Sequence, residues 1–189
     1  MDAPGSLCTR AHKVVIRLRL YGHVLLAAAA LVWAKPAPIP LLVGGGGVLL
    51  GLALRVWASG LLEKGGELCT DGPYRYVRHP LYLGSMLAAL GFAVMMNVIW
   101  GWIVVLPLFA LLYTSQVVIE ERHLRATYGE AHADYAARVP MLVPWRGRAR
   151  ESAGRGWELA QLLRNREHYH VAFTLAVGIL FLVKWRLGS

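Results

Sequence analysis

The chain has 189 residues, of which 57% are hydrophobic and only 16% charged, against roughly 45–50% and about 25% in a soluble domain. That balance excludes a disordered, collagen-like or disulfide-framework protein and speaks against a water-soluble enzyme with one compact core. The net charge of +9 would suit a nucleic acid, but the basic residues flank apolar runs, which points to an anionic membrane surface and not to nucleic acid.

Five apolar stretches follow one another along the chain. The first, Val14–Ala34, is interrupted early by Arg17, Arg19 and His23, so it spans only if the arginines snorkel to the interface. It lacks a convincing small-residue cleavage site, and Lys35-Pro36 follows at once, which argues against a signal peptide. The second, Leu41–Ser59, carries one charge, Arg55. Its run Gly44–Gly47 has no following Lys-Ser/Thr and is read as a close helix-packing surface, not a phosphate loop. The third, Leu81–Met96, extends back through Pro80, and the fourth, Val98–Val118, has no charge at all. The fifth, Val171–Val183, is closed by Lys184 and Arg186. A helix needs roughly 20 residues to cross about 30 Å of hydrocarbon. The expected fold is therefore an all-α integral membrane bundle of about five transmembrane helices, a single membrane domain over residues 1–189.

The basic residues orient it. With the N-terminus cytoplasmic, all 20 Lys and Arg except Lys35, Lys184 and Arg186 fall on the inner side. The outer connections, Lys35–Pro40 and Asn97, are very short, so the polar chemistry has one side to occupy. Cys8 and Cys69 are too few for a disulfide framework and are expected as free thiols.

That side holds two polar blocks. One is Gly60–Pro80; the other begins at Ile119, where Leu124, Tyr128, Ala131 and Tyr135 recur at helical spacing until Val139-Pro140 ends the run. Residues 146–169 read as a basic cytoplasmic connector and 170–187 as an extra membrane helix. Asn97 marks a tight turn, so the third and fourth stretches form an antiparallel hairpin. From His79 to Asn97 is about 27 Å and from Asn97 back to Glu120 about 35 Å at 1.5 Å per residue. Arg78, His79 and Tyr82 therefore return to the level of Glu120 and Glu121. Each piece has a plain reading: Arg78-His79 as an inside anchor, Glu120-Glu121 as the exposed start of a helix, and Tyr74, Tyr76 and Tyr82 as an aromatic belt. Their convergence at the ends of one hairpin favours a site. His132, His168 and His170 lack metal-ligand spacing, and Cys69 has no partner base.

The run GPYRYVRHPLYLG at residues 72–84, followed by EERHLRATYG at 120–129 and YAARVPMLVPW at 135–145, resembles the isoprenylcysteine carboxyl methyltransferase and phospholipid methyltransferase superfamily. The resemblance covers about Arg55–Trp145. It implies an integral membrane enzyme that uses S-adenosylmethionine, with a lipid-like or prenylated acceptor. Position by position it implicates Glu67, Leu68, Cys69, Tyr74, His79, Pro80, Leu81, Tyr82 and Glu120 in holding the cofactor. Gln116 and Glu121 are expected at the reacting end, and Val139–Trp145 as a cover over the adenine. One departure stands out. The eukaryotic prenylcysteine enzymes carry an arginine four residues before the first glutamate, where this chain has Gln116. Glutamine hydrogen-bonds a carboxylate but does not neutralise it, which counts against a prenylcysteine carboxylate and leaves an amine lipid, an isoprenoid-like acid and a small thiol open as acceptors, with Arg55 or Arg75 as candidate replacements for the missing charge. A non-catalytic lipid- or partner-binding protein is the alternative of another class.

Overall fold

The structure is a computed structural model, described over residues 27–28, 30–63, 65–145, 154 and 156–188. Among the described residues there is no strand. The helices are α1 (Pro38–Leu61), α2 (Pro80–Met96), α3 (Ile99–Arg138), α4 (Leu159–Arg164) and α5 (Glu167–Gly188), with a 3-10 turn over Gly72–Arg75. Three of them, α1, α3 and α5, are long and apolar enough to cross a membrane. At 17 residues, α2 is apolar but shorter. Of the five expected spans, the first stretch lies largely outside the described residues; its end, 30–33, is helical.

Glycine spacing explains why α1 and α2 pack most closely. Gly44 and Gly51 on α1 stand seven residues apart, as do Gly84 and Gly91 on α2. A Cβ added at Gly51 would lie 2.4 Å from the Gly84 carbonyl, and one at Gly91 would lie 2.5 Å from that of Gly44. The two backbones meet here without side chains between them, the small-residue mode of membrane helix packing. Gly47 also faces α2, whereas Gly45 and Gly46 face open space. The packing surface foreseen at Gly44–Gly47 is thus one face of the helix.

The hairpin forms as its sequence demands. Pro80 opens α2 at the first helical position, where a missing N–H costs nothing. Asn97 closes it in the left-handed conformation at φ 52°, and its side chain donates to the Lys35 carbonyl at 3.0 Å. The fourth apolar stretch and the start of the amphipathic run after it, separate in the sequence reading, run on as helix in α3 as far as Gly129, where the helix kinks before continuing to Arg138. At 1.5 Å per residue the part before the kink is about 45 Å, longer than the hydrocarbon thickness. The apolar first half suits the bilayer, and the charged second half extends beyond it. Gly129, at φ 52° and ψ −120°, interrupts the helical geometry within that second half.

The connector differs from expectation. It contains α4, and α5 begins at Glu167, three residues before the expected 170. The cause is the end of α1, whose last carbonyls have no intrahelical partner. The Glu158 N–H donates to Gly60 at 2.9 Å, and the Asn165 amide donates to Ser59 and Leu62 at 2.9 and 2.7 Å. Phe181 of α5 is wholly buried in a core with Leu41, Val48, Leu52, Met95 and Met96. The large apolar side chains left outward on α1, α3 and α5 are a liability in water and suit contact with lipid.

Candidate active site

The loop between α1 and α2 carries most of the implicated residues, and it is clamped from both sides. On the α1 side, Cys69 and Tyr74 are buried against Ala58 and Leu61. On the α3 side, Tyr128 donates its hydroxyl to the Gly66 carbonyl and Tyr135 donates to the Tyr74 carbonyl, both at 2.6 Å. Leu68 packs against Tyr135 and Val139. The backbone N–H groups of Arg78 and His79 donate to the Pro140 and Met141 carbonyls at 2.9 and 3.1 Å. The segment after α3 therefore packs onto Arg78-His79 at Val139–Met141. Val143 and Trp145 stand exposed beyond it.

Arg78 ends α3. Its Nη1 donates to the carbonyls of Ala136 and Val139 at 2.9 and 3.1 Å, and its Nε donates to Glu121 at 2.9 Å. A cation at a helix C-terminus with unsatisfied carbonyls is favourable twice over. His79 Nε2 lies 2.7 Å from the same Glu121 oxygen, which makes Nε2 the protonated nitrogen. His79 Nδ1 then faces Glu120 at 3.8 Å. The two carboxylates differ sharply: Glu121 is tied to Arg78 and His79, while the Glu120 side chain is 42% exposed. The hairpin thus joins Arg78 and His79 to both glutamates.

From His79 an aromatic row runs along the α2–α3 hairpin. Ring centroids separate His79 from Tyr82 by 5.6 Å, Tyr82 from Tyr113 by 5.5 Å edge-on, and Tyr113 from Phe109 by 3.9 Å stacked. Gln116 is half-buried on α3, one turn before Glu120. Pro80 is buried and Leu81 half-buried in the first turn of α2, and Glu67 is exposed on the loop.

The buried polar atoms without a hydrogen-bond partner among the described residues include the Tyr74 hydroxyl, Arg75 Nε and both ring nitrogens of His132. Burial pushes the Tyr74 phenol well above its ordinary range, with Cys69 and Glu120 adding to the rise. Burial likewise raises Tyr135. It lowers His132, against the pull of Glu121.

Two expectations are corrected. Arg55 is not a spare cation for an acceptor. It pairs with Glu167 of α5 through two bonds at 2.6 and 2.9 Å, donates to the Leu81 carbonyl at 3.0 Å and bonds the Ser85 hydroxyl. That places it on the face of α2 turned to α1, away from Tyr82 and α3. Arg75 lines a separate open cleft with Trp57, Asp71, Tyr76 and Trp157. Sequence reasoning missed the roles of Tyr128 and Tyr135; their helical spacing was visible, but the loop carbonyls they would meet were not. Among the described residues no three His, Cys, Asp or Glu converge on a metal position.

The family model for phospholipid methyltransferase matches residues 41–131. The chain is similar to the cobalt-zinc-cadmium resistance protein CzcN of Cupriavidus metallidurans, at 34% identity over 57% of this chain and 50% of that protein. It is similar to the protein-S-isoprenylcysteine O-methyltransferase of Schizosaccharomyces pombe, at 35% over 41% and 33%. It is also similar to methanethiol S-methyltransferase 2 of Bradyrhizobium diazoefficiens, at 43% over 38% and 26%. The chain thus spans half the length, or less, of these curated relatives. No solved structure matches it.

Proposed function

We propose, for a chain that belongs to the isoprenylcysteine carboxyl methyltransferase and phospholipid methyltransferase superfamily, that it is an integral membrane methyltransferase using S-adenosylmethionine on an acceptor with an apolar tail. The observation that carries this reading is the meeting of His79 and Glu120 beside a buried, unpaired Tyr74 hydroxyl. A hydroxyl buried without a partner is costly, and a polar ligand lying against the loop would relieve it. The acceptor set suits that cofactor: Glu120 accepts from an ammonium or ribose hydroxyls, and His79 Nδ1, with the Nε2–H spent on Glu121, accepts beside it. Glu67, Leu68, Cys69, Pro80, Leu81 and Tyr82 complete the proposed wall.

When bound, S-adenosylmethionine supplies a methyl group already activated on a sulfonium, so the chain's own work is to hold, align and keep dry. Glu121 fixes the His79 ring from behind. The aromatic row from Tyr82 to Phe109 offers an apolar track from the polar site toward lipid. Gln116, in that track, contacts the acceptor head in this proposal.

The engagement of Arg55 and Arg78 favours one class of head over another. Arg55 and Arg78 are each committed to a glutamate, Arg75 lines the separate cleft, and Gln116 is neutral. An acidic head would have neither Arg55 nor Arg78 to receive it, so a neutral amine or thiol fits better than a prenylcysteine carboxylate. The orientation proposed with this reading has the N-terminus and site cytoplasmic, as the basic residues demand. A labelled-cofactor methylation assay on purified protein in detergent, with alkyl amines, alkyl thiols and prenylcysteine offered in parallel, tests it. Transfer to amines or thiols is expected, rising with chain length; transfer to none of the three overturns it.

A further inference from the structure

His132 stands outside every role described so far. It lies near the end of α3, beyond the break at Gly129, and its side chain is 3% exposed. Neither ring nitrogen has a hydrogen-bond partner among the described residues, a costly state for a polar ring. Its Nε2 points at Glu121, 3.8 Å from Oε2. That is too long for a hydrogen bond but within reach of an ion pair. The other Glu121 oxygen, Oε1, takes both Arg78 Nε at 2.9 Å and His79 Nε2 at 2.7 Å. Among the described residues, Glu121 therefore has one committed oxygen, Oε1, and one, Oε2, approached by His132.

The charged groups facing His132 are Glu121 and Arg125 from its own helix, and Arg78 and His79 from the segment before α2. Burial, Arg78, Arg125 and His79 favour the neutral ring, with the single carboxylate opposed. The arrangement is balanced: neutral, His132 makes no bond to Glu121; protonated, it becomes the strongest new partner within reach.

We propose that His132 is a positioning residue for the site: neutral, it leaves Glu121 to Arg78 and His79, and protonated, it draws the Glu121 carboxylate toward itself and loosens its hold on the His79 ring. Burial lowers its proton affinity, so the neutral, site-competent form prevails at neutral pH. The consequence for cofactor capture rests on the function proposed above; the coupling between His132, Glu121 and His79 does not.

The test therefore has two arms on the full-length protein in detergent. In the first, ring-nitrogen resonances of labelled histidines are followed from neutral to acid pH, with His79 assigned through His79→Gln. The His79 signals are expected to shift in step with the titration of His132, and to lose that step in His132→Asn. His79 signals that ignore the His132 titration in the wild-type chain overturn the proposal, whatever the variant's folding. In the second, affinity for S-adenosylhomocysteine is measured across the same range. One linked proton predicts a loss of up to about tenfold per pH unit on the acid side, flattened in His132→Asn and His132→Gln. A slope unchanged in both folded variants also overturns it. Absence of binding at every pH refutes the function reading instead, and the first arm still decides the coupling.

Discussion

Two side chains at the hairpin ends carry the proposed ligand contacts, and they differ in what surrounds them. His79 is buried and held by Glu121, while Glu120 is open on one side. His79→Ala and Glu120→Ala should each weaken S-adenosylmethionine binding tenfold to a hundredfold, from the loss of one charged hydrogen bond worth about 1.5–3 kcal/mol. Calorimetry on folded variants measures this. His132 gives a second expectation, about stability. Its affinity for protons is lower folded than unfolded, so between the two values the unfolded chain binds more protons. Stability is then complete above the unfolded value, about 6.5, and falls as pH drops below it toward the folded value. His132→Asn should remove that part of the acid sensitivity, read as a smaller fall in melting temperature on acidification. At this scale Arg78, His79, Glu120 and Glu121 were legible, because turn position and helix rise bring them level. The Tyr135 bond to the Tyr74 carbonyl was not, since it depends on how an irregular loop folds under α3. Nor was the partner of Arg55: Glu167 lies 112 residues away in sequence, and no periodicity links them.

Helices set where those residues meet. The α1–α2 contact rests on backbone meeting backbone at Gly51 and Gly84. Gly84→Val would drive side-chain atoms into the Gly51 carbonyl and the Arg55 stem, and should cost about 1–3 kcal/mol, as other overpacked interiors do. It should also displace the first turns of α2 and with them His79, so cofactor affinity should fall together with melting temperature. The Arg55–Glu167 pair ties α5 to the same helix. Arg55→Gln or Glu167→Gln leaves an uncompensated buried charge and should destabilise by about 3–5 kcal/mol. The double change should cost less than the sum of the two, which a double-mutant cycle on thermal unfolding reads directly. Four of the five expected apolar stretches appear among the described helices because hydrophobic runs bounded by Pro80, Asn97 and basic residues leave little choice. Within the connector α4 was not legible because it is short and weakly patterned; the unsatisfied carbonyls at the end of α1 organise it, and those become visible only once α1 is built.

For the whole molecule, the outward apolar side chains of α1, α3 and α5 and the polar cluster at one end of the hairpin define a protein that meets lipid around its girth and water at its site. Two consequences follow for the acceptor. Each added methylene should strengthen binding by about 0.8 kcal/mol while it remains in an apolar groove, so affinity should climb with chain length. Under the proposed function, Gln116→Arg should lower activity toward an amine acceptor and raise it toward a carboxylate, because Arg55 and Arg78 are already paired with glutamates. The central claim is narrower than either: His79, Glu120 and the loop around Tyr74 hold S-adenosylmethionine. Calorimetric titration of that cofactor into the purified full-length protein in detergent tests it most directly. Saturable binding at one site per chain is expected, weakened in His79→Ala and in Glu120→Ala; no binding, or equal affinity in the wild type and both folded variants, would show that these residues do not hold the cofactor.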